Sequence, residues 1–144
     1  MNELDRLLED FGWDSYLEVS NDLTEFNEDT IDDDIIKFSA IYSSYYAMMV
    51  TAKMINDGDC TNLSEHMAQV RSDSKQNSTK KLTARDLDDL VEIDEETKRL
   101  TYVCRESSYK YNLLKGLIKS MEAKKDMLIQ SSSNRRAETK LYSN

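Results

Sequence analysis

The chain has 144 residues, no proline and only three glycines. So few chain-breaking residues argue against a strongly turned all-β fold and favour long helices joined by polar loops. One third of the residues are charged, the net charge is −9, and no apolar run approaches the roughly 18 residues that a transmembrane helix requires. We therefore expect an all-α protein, an elongated helical hairpin or bundle that oligomerises through helix packing and has no membrane partner.

Charge is sorted by position along the chain. Residues 1–34 carry thirteen acidic side chains and one basic side chain, whereas residues 98–144 carry eleven basic and four acidic side chains. Because the long-range field of a protein influences which partners it meets, this polarity favours a protein that handles a polyanion or copies of itself. The acidic end would be repelled from nucleic acid.

The first 29 residues read as an acidic N-terminal arm. Its apolar side chains recur at the spacing of a short amphipathic helix, which Gly12 ends. Residues 20–34 are acidic and rich in turn formers, which predicts a flexible connector. The arm is either a solvated extension or a recognition peptide that docks in a partner's groove. The residues of this partner-binding arm are Leu4, Leu7, Leu8, Phe11 and Trp13.

Residues 30–131 are expected to form the helical body, and its first long helix covers residues 31–57. Three consecutive aspartates, residues 32–34, favour the positive N-terminal end of this helix. Gly58 is a natural C-terminal stop. Tyrosines and methionines within residues 42–49 make the helix apolar on nearly all sides. They line either a core or a subunit interface, and we favour the interface.

Two short helices and a loop are predicted next. Residues 61–70 carry apolar side chains on one helical face, and residues 71–85 carry five basic side chains and one acidic side chain. The second segment is polar, so we expect a mobile basic loop. Thr83 and Asp86 have the spacing of a capping box, which predicts a short helix after them.

The longest predicted helix covers residues 94–131, and residues 132–144 form a polar tail that we expect to fray. Apolar side chains follow one side of this helix at three-and-four spacing. A helix of this length favours antiparallel pairing with residues 31–57, self-association, or both. The expected oligomer interface consists of Tyr42, Tyr45, Tyr46, Met49, Leu100, Val103, Tyr111, Leu114, Ile118, Met121 and Leu128.

The sequence contains no recognisable catalytic constellation, so we do not expect an enzyme. It has no glycine-rich phosphate loop and no nucleophile elbow, and its single histidine, His66, is interpreted as an ordinary helix residue. No Cys/His cluster has metal-ligand spacing, so no metal or other cofactor is expected. Cys60 and Cys104 are interpreted as buried small hydrophobic residues of a cytoplasmic protein, since the acidic N-terminus does not resemble a signal peptide.

A binding surface for nucleic acid is the chemistry that remains. Basic side chains run through the basic loop and along the last helix, with tyrosines among them. Cations neutralise phosphates and tyrosines stack unpaired bases, a combination suited to single-stranded DNA. The alternative is a solvated helix face. The candidate nucleic-acid-binding residues are Arg71, Lys75, Lys80, Lys81, Arg85, Lys110, Lys115, Lys119, Lys124, Lys125, Arg135 and Arg136.

Residues 82–138 resemble the C-terminal half of UvsY-type recombination mediator proteins of tailed phages, through three segments. They are LTARDLDDLVEIDEE (82–96), YKYNLLKGLIKSMEAKKDMLIQ (109–130) and NRRAE (134–138). The resemblance implies a small, non-enzymatic, all-helical protein of the host bacterial cytoplasm that forms a ring through its C-terminal helices. It also implies binding of single-stranded DNA, loading of a RecA-like recombinase and displacement of single-strand-binding protein.

The resemblance does not extend to every part of that family. The family's DNA-contacting segment, basic residues leading into paired aromatics and a glycine, has no counterpart here. Residues 71–85 occupy its region without the aromatic side chains, so no DNA ligands are carried over. The acidic arm is also a departure from the family pattern.

Two other functions stay open at this stage. The chain is alternatively an inhibitor whose acidic surface imitates nucleic acid, such as a phage anti-defence protein, or a purely structural helical oligomer of a virion. The first alternative would use the acidic side chains of Asp22, Glu25, Glu28, Asp29, Asp32, Asp33 and Asp34.

Overall fold

The computed structural model describes residues 3–22 and 31–142, with side chains described for 6–22 and 33–142. These residues form five helices: α1 (Glu3–Asp10), α2 (Trp13–Asp22), α3 (Ile31–Asn77), α4 (Ala84–Ile93) and α5 (Glu95–Tyr142). No strand occurs in these ranges, so the all-α prediction is confirmed. None of the described helices is long and apolar enough to cross a membrane.

The predicted stop at Gly58 is wrong, because α3 continues through it for 47 residues in total. A glycine inside a helix costs only about 1 kcal/mol relative to alanine. Contacts on either side of it oppose that cost: Asn56 accepts hydrogen bonds from α5, and Cys60 is bonded to Cys104 of α5. The predicted separate helix 61–70 is therefore part of the second half of α3.

The predicted mobile loop 71–85 is also mostly helical. Residues 71–77 form the last two turns of α3, and Arg85 lies in the first turn of α4. Only residues 78–83 connect the two helices. The polar composition of this segment favours a loop, but Arg, Lys and Gln are also good helix formers, so α3 can continue through residues 71–77.

Helix α5 extends past the predicted end at residue 131 to Tyr142, so the prediction of a frayed tail is wrong for residues 132–142. This segment has neither glycine nor proline, and it contains Ala137, Glu138, Lys140 and Leu141, all residues with high helix propensity. The spacing of the arm predicts only one short helix, so α2 is an additional element. Of the predicted connector, residues 20–34, the part 23–30 lies outside the described residues, whereas residues 20–22 belong to α2 and residues 31–34 belong to α3, so the prediction is wrong at both ends.

The chain divides into two compact units. The terminal unit comprises Met1–Thr51 and Asn112–Asn144, and the middle unit comprises Ala52–Tyr111. In the terminal unit, the core forms around α5, where the side chains of Leu114, Leu117 and Met121 are completely inaccessible to solvent. In the middle unit, Leu87 and Val91 of α4 are buried.

Candidate nucleic-acid interface in the middle unit

The strongest concentration of positive charge in the middle unit lies around the α3–α4 connection. Lys75 is in the last turn of α3, Lys80 and Lys81 are in the connection, and Arg85 is in the first turn of α4. All four side chains are exposed, and no acidic residue occurs between Ser74 and Arg85. None has a carboxylate within ion-pair distance among the described residues. We call these four residues the cationic connection.

Hydrogen bonds give this connection a defined course. The Ser78 hydroxyl donates to the Lys80 carbonyl oxygen at 2.7 Å and accepts from the Lys80 amide at 3.2 Å. The Thr83 hydroxyl caps α4 by accepting from the Asp86 amide at 3.2 Å, and Asp86 Oδ2 accepts from the Thr83 amide at 2.8 Å. The capping-box prediction is thereby confirmed. The Thr83 hydroxyl also donates to Asp86 Oδ2 at 2.7 Å, and this hydrogen bond, followed by that of the Thr83 amide, lowers the pKa of Asp86.

Arg71 differs from the cationic connection, although it was predicted to belong to the same binding segment. Its guanidinium nitrogen Nη2 lies 2.9 Å from Asp88 Oδ1 of α4. Both side chains are exposed enough for water to screen the pair, so its contribution to stability is small. The pairing nevertheless weakens the attraction that Arg71 offers to a phosphate, because the negative charge of Asp88 lies beside the guanidinium.

The basic residues predicted on α5 do not form one continuous stripe. At 3.6 residues per turn, Lys115 and Lys119 share one side of the helix, and both are exposed. Lys124 lies nearer the side of the buried Leu117 and is half-buried. Lys125, Arg135 and Arg136 are exposed in the terminal unit, and Lys110 is half-buried in the middle unit.

A cavity of about 700 Å³ lies among α3, α4 and α5 of the middle unit. Its apolar surface includes Met67 of α3 and the buried Val91 of α4. Glu92 lines it from α4, and Tyr102 and Arg105 line it from α5. Tyr102 is 65% exposed, so its ring is available to a ligand. A volume of this size is within the range of small-molecule sites.

Sequence reasoning missed Glu92 and Arg105 as candidate binding residues. A signal was present on α5, where Lys98, Tyr102 and Arg105 follow one another at spacings of four and three residues. That spacing places an aromatic ring between two cations on one helical face. The position of Glu92 opposite them depends on how α4 packs against α5, which local spacing does not reveal.

His66 and Asp94 connect α3 to the start of α5 beside this cavity. His66 Nε2 lies 2.8 Å from Asp94 Oδ2, which also accepts a hydrogen bond of 2.7 Å from the Thr97 amide. The His66 hydrogen bond, followed by that of the Thr97 amide, lowers the pKa of Asp94 from 3.8 to about 2. Asp94 therefore serves as the cap of α5 and as the partner of the chain's single histidine.

The interpretation of the cysteines as two free hydrophobic residues is wrong. Cys60 of α3 and Cys104 of α5 form a disulfide, and their Cα atoms are 5.0 Å apart. Asn56 Oδ1 lies one turn away and accepts hydrogen bonds from the Ser107 and Ser108 hydroxyls at 3.3 and 2.5 Å. The bond depends on the register between α3 and α5, which no local sequence signal of two residues 44 positions apart reveals.

The described residues of the predicted partner-binding arm contribute to the terminal unit. Leu8 and Phe11 are each only 4% exposed, and the Phe11 ring meets the Tyr45 ring edge-on with centroids 6.3 Å apart. Leu7 and Trp13 are about half-exposed. The Leu4 side chain lies outside the described part of the chain. Leu8 and Phe11 are therefore unavailable to a partner while α1 stays packed.

Part of the predicted oligomer interface is used inside the monomer. Leu114, Ile118, Met121 and Leu128 are at most 4% exposed within the terminal unit, and the Tyr42 hydroxyl donates to Glu122 Oε1 at 3.0 Å. The remaining predicted interface residues are half-buried, except for Tyr46, which is 46% exposed. Those half-buried residues are Tyr42, Tyr45, Met49, Leu100, Val103 and Tyr111.

Comparison with known proteins gives no relative from which a role could be transferred. No protein-family model, no curated protein and no solved structure matches the chain. Within residues 3–22 and 31–142, no three His, Cys, Asp or Glu side chains are grouped so as to hold a metal ion.

Proposed function

We propose that this chain is a non-enzymatic accessory protein of DNA recombination or replication, and that it binds single-stranded DNA through the cationic connection. The observation that carries the proposal is the presence of four exposed cations within residues 75–85, with no acidic residue among them and no carboxylate partner in the described residues. Cations that are free of internal partners lose little when they bind phosphates, and each phosphate contact releases counterions.

The resemblance to UvsY-type mediators supports the rest of the proposal. The resembling segments include α4, with Val91 and Glu92 of the cavity wall, and the exposed cations Lys115 and Lys119 of α5. In this reading the protein holds the strand in a form that a RecA-like recombinase binds, and it helps to displace single-strand-binding protein. Several copies acting together would multiply the phosphate contacts of one cationic connection.

A direct test compares two double variants with equal charge. Lys80→Ala/Lys81→Ala removes two cations of the cationic connection, and Lys37→Ala/Lys53→Ala removes two exposed lysines elsewhere on α3. Binding of a labelled single-stranded oligonucleotide at low salt is measured by fluorescence anisotropy. We expect the first variant to bind several-fold more weakly than the second. Equal affinities of the two variants would contradict the assignment of the surface.

The nucleic-acid-mimic function is a second candidate, and the geometry of α2 favours it. Asp14, Glu18 and Asp22 are exposed and recur every four residues along this helix. Burial raises the pKa of Tyr45, and the negative charges of Glu18 and Asp22 raise it further. If this acidic row imitates phosphates, reversing the three charges abolishes a complex with a DNA-binding enzyme and leaves DNA binding by the chain itself intact or stronger.

A further inference from the structure

The cavity of the middle unit has an aromatic ring, a cation without an internal partner and a carboxylate on its walls. Arg105 is exposed and has no ion-pair partner among the described residues, whereas Arg71 and Lys98, which also line the cavity, are paired with Asp88 and Glu95. Glu92 likewise has no cation within ion-pair distance in the described part of the chain. One positive and one negative group are therefore left for a ligand.

We propose that this cavity holds the base of one unstacked nucleotide of the bound strand. The base stacks on the Tyr102 ring, its phosphate binds the Arg105 guanidinium, and the Glu92 carboxylate accepts a hydrogen bond from an exocyclic amino group. The inference rests on the proposed binding of single-stranded DNA and adds a base preference to it. No covalent step is involved.

Each contact follows from the chemistry of the group that makes it. A tyrosine that is 65% exposed at the edge of a cavity offers a face on which any base can stack. An arginine is suited to phosphate because its guanidinium donates two parallel hydrogen bonds. A carboxylate only accepts hydrogen bonds, so Glu92 suits cytosine, which carries an amino group at C4, and not thymine, which carries a carbonyl oxygen at that position.

The apolar part of the cavity explains why a base would enter it. Met67 and the buried Val91 provide apolar surface, and a base that packs its edge against them removes that edge from water, which is favourable. The base of an intact duplex is paired and stacked, so it would first have to leave the helix at a cost. The cavity therefore discriminates single strands from duplex, which the cationic connection alone does not do.

The test measures binding of short dC and dT homopolymers to the full chain by anisotropy. We expect the wild type to bind dC about tenfold more tightly than dT, since one good base contact supplies that much discrimination. The change Glu92→Ala reduces this ratio to about one. The control Asp89→Ala removes the same charge from an exposed site of α4 outside the cavity and leaves the ratio unchanged.

A second pair of variants tests the stacking contact. Tyr102→Leu lowers the affinity for dC about tenfold, whereas Tyr142→Leu, at an exposed site of α5 in the terminal unit, leaves it unchanged. Equal binding of dC and dT by the wild type, or a Tyr102→Leu affinity equal to that of the wild type, overturns the inference. If binding depends on salt but shows neither the dC preference nor the loss in Tyr102→Leu, only the base site is refuted and the proposed function stands. If neither homopolymer binds at low salt, the base site and the proposed function are both refuted.

Discussion

His66 Nε2 lies 2.8 Å from Asp94 Oδ2, and this contact joins the second half of α3 to the residue that caps α5. The same carboxylate oxygen accepts the Thr97 amide hydrogen bond, so one side chain fixes both the start of the helix and its position against α3. Because Thr97 also lines the cavity, the pair helps to set the shape of the candidate site.

The first prediction concerns the pH dependence of stability at this pair. The pKa of Asp94 is lowered from 3.8 to about 2, so its contribution to folding is present above the unfolded pKa and is lost as the pH falls through about 2. Asp94→Asn keeps a side-chain oxygen for the cap but removes the charge. We expect this variant to have a lower Tm than the wild type at pH values above about 5.

The Tm difference between wild type and Asp94→Asn should shrink as the pH is lowered from about 5 to about 2, because the wild-type carboxylate becomes protonated. Asp89→Asn serves as the control, since Asp89 is exposed and makes no ion pair among the described residues. A Tm difference that is constant over this pH range would refute the role assigned to the Asp94 charge.

The second prediction concerns the disulfide. Cys60 and Cys104 are 44 positions apart, and closing a loop of that length stabilises a fold by about 4 kcal/mol in the chain-entropy account. Cys60→Ser/Cys104→Ser is therefore expected to lower the free energy of unfolding by up to this amount, measured by urea denaturation. A thiol reductant should produce the same loss in the wild type and none in the double variant.

Thiol titration of the protein purified without reductant provides an independent check of the disulfide. The expected result is less than one reactive thiol per unfolded chain. Two reactive thiols per chain, together with a urea transition that reductant does not move, would show that Cys60 and Cys104 are not joined.

The third prediction concerns the cap that directs the chain from the cationic connection into α4. Thr83→Ala removes the hydroxyl that accepts the Asp86 amide hydrogen bond, so we expect a loss of about 1 kcal/mol in the free energy of unfolding. Thr79→Ala in the same connection is the control, because Thr79 is exposed and has no hydrogen bond in the described structure. Equal stability of the two variants would refute the capping role.

The helical class and the start of α4 could be predicted from local sequence, whereas the helix ends could not. The absence of proline and the Thr83–Asp86 spacing act within a few residues, and the structure agrees with both. The rule that a glycine ends a helix predicts a C-terminus at Gly58, because this rule does not include the contacts that Asn56 and Cys60 make with α5. Tertiary contacts at that distance in sequence override a cost of about 1 kcal/mol.

The candidate site could be predicted only in part for the same reason. The basic composition of residues 71–85 pointed to the cationic connection, but it did not reveal that Arg71 is paired with Asp88. The cavity required three helices to be placed together, so Glu92 and Arg105 had no local signature that linked them. The cysteine pairing required the register of α3 against α5, which two residues 44 positions apart do not specify.

The fourth prediction separates a monomer core from an oligomer interface on α5. Leu114 has no exposed surface within the terminal unit, so Leu114→Ala should lower the free energy of unfolding by about 3 to 5 kcal/mol. Leu141→Ala, at a side chain that is 77% exposed, should change it by less than about 0.5 kcal/mol.

The dependence of these values on protein concentration decides between the two roles. If Leu114 belongs to the core of one chain, the loss is the same at all concentrations and the molar mass from light scattering is unchanged. If the loss grows on dilution and the molar mass falls, the residue stabilises contacts between chains instead.

The central claim is that the cationic connection neutralises phosphates of single-stranded DNA, and the salt dependence of binding tests it most directly. The logarithm of the association constant falls linearly with the logarithm of salt concentration, and the four contacts of one cationic connection contribute about −2.8 to that slope. In Lys80→Ala/Lys81→Ala the slope should be weaker by about 1.4, whereas Lys37→Ala/Lys53→Ala should keep the wild-type slope. Absence of binding at low salt, or the same slope in both double variants, would contradict the claim.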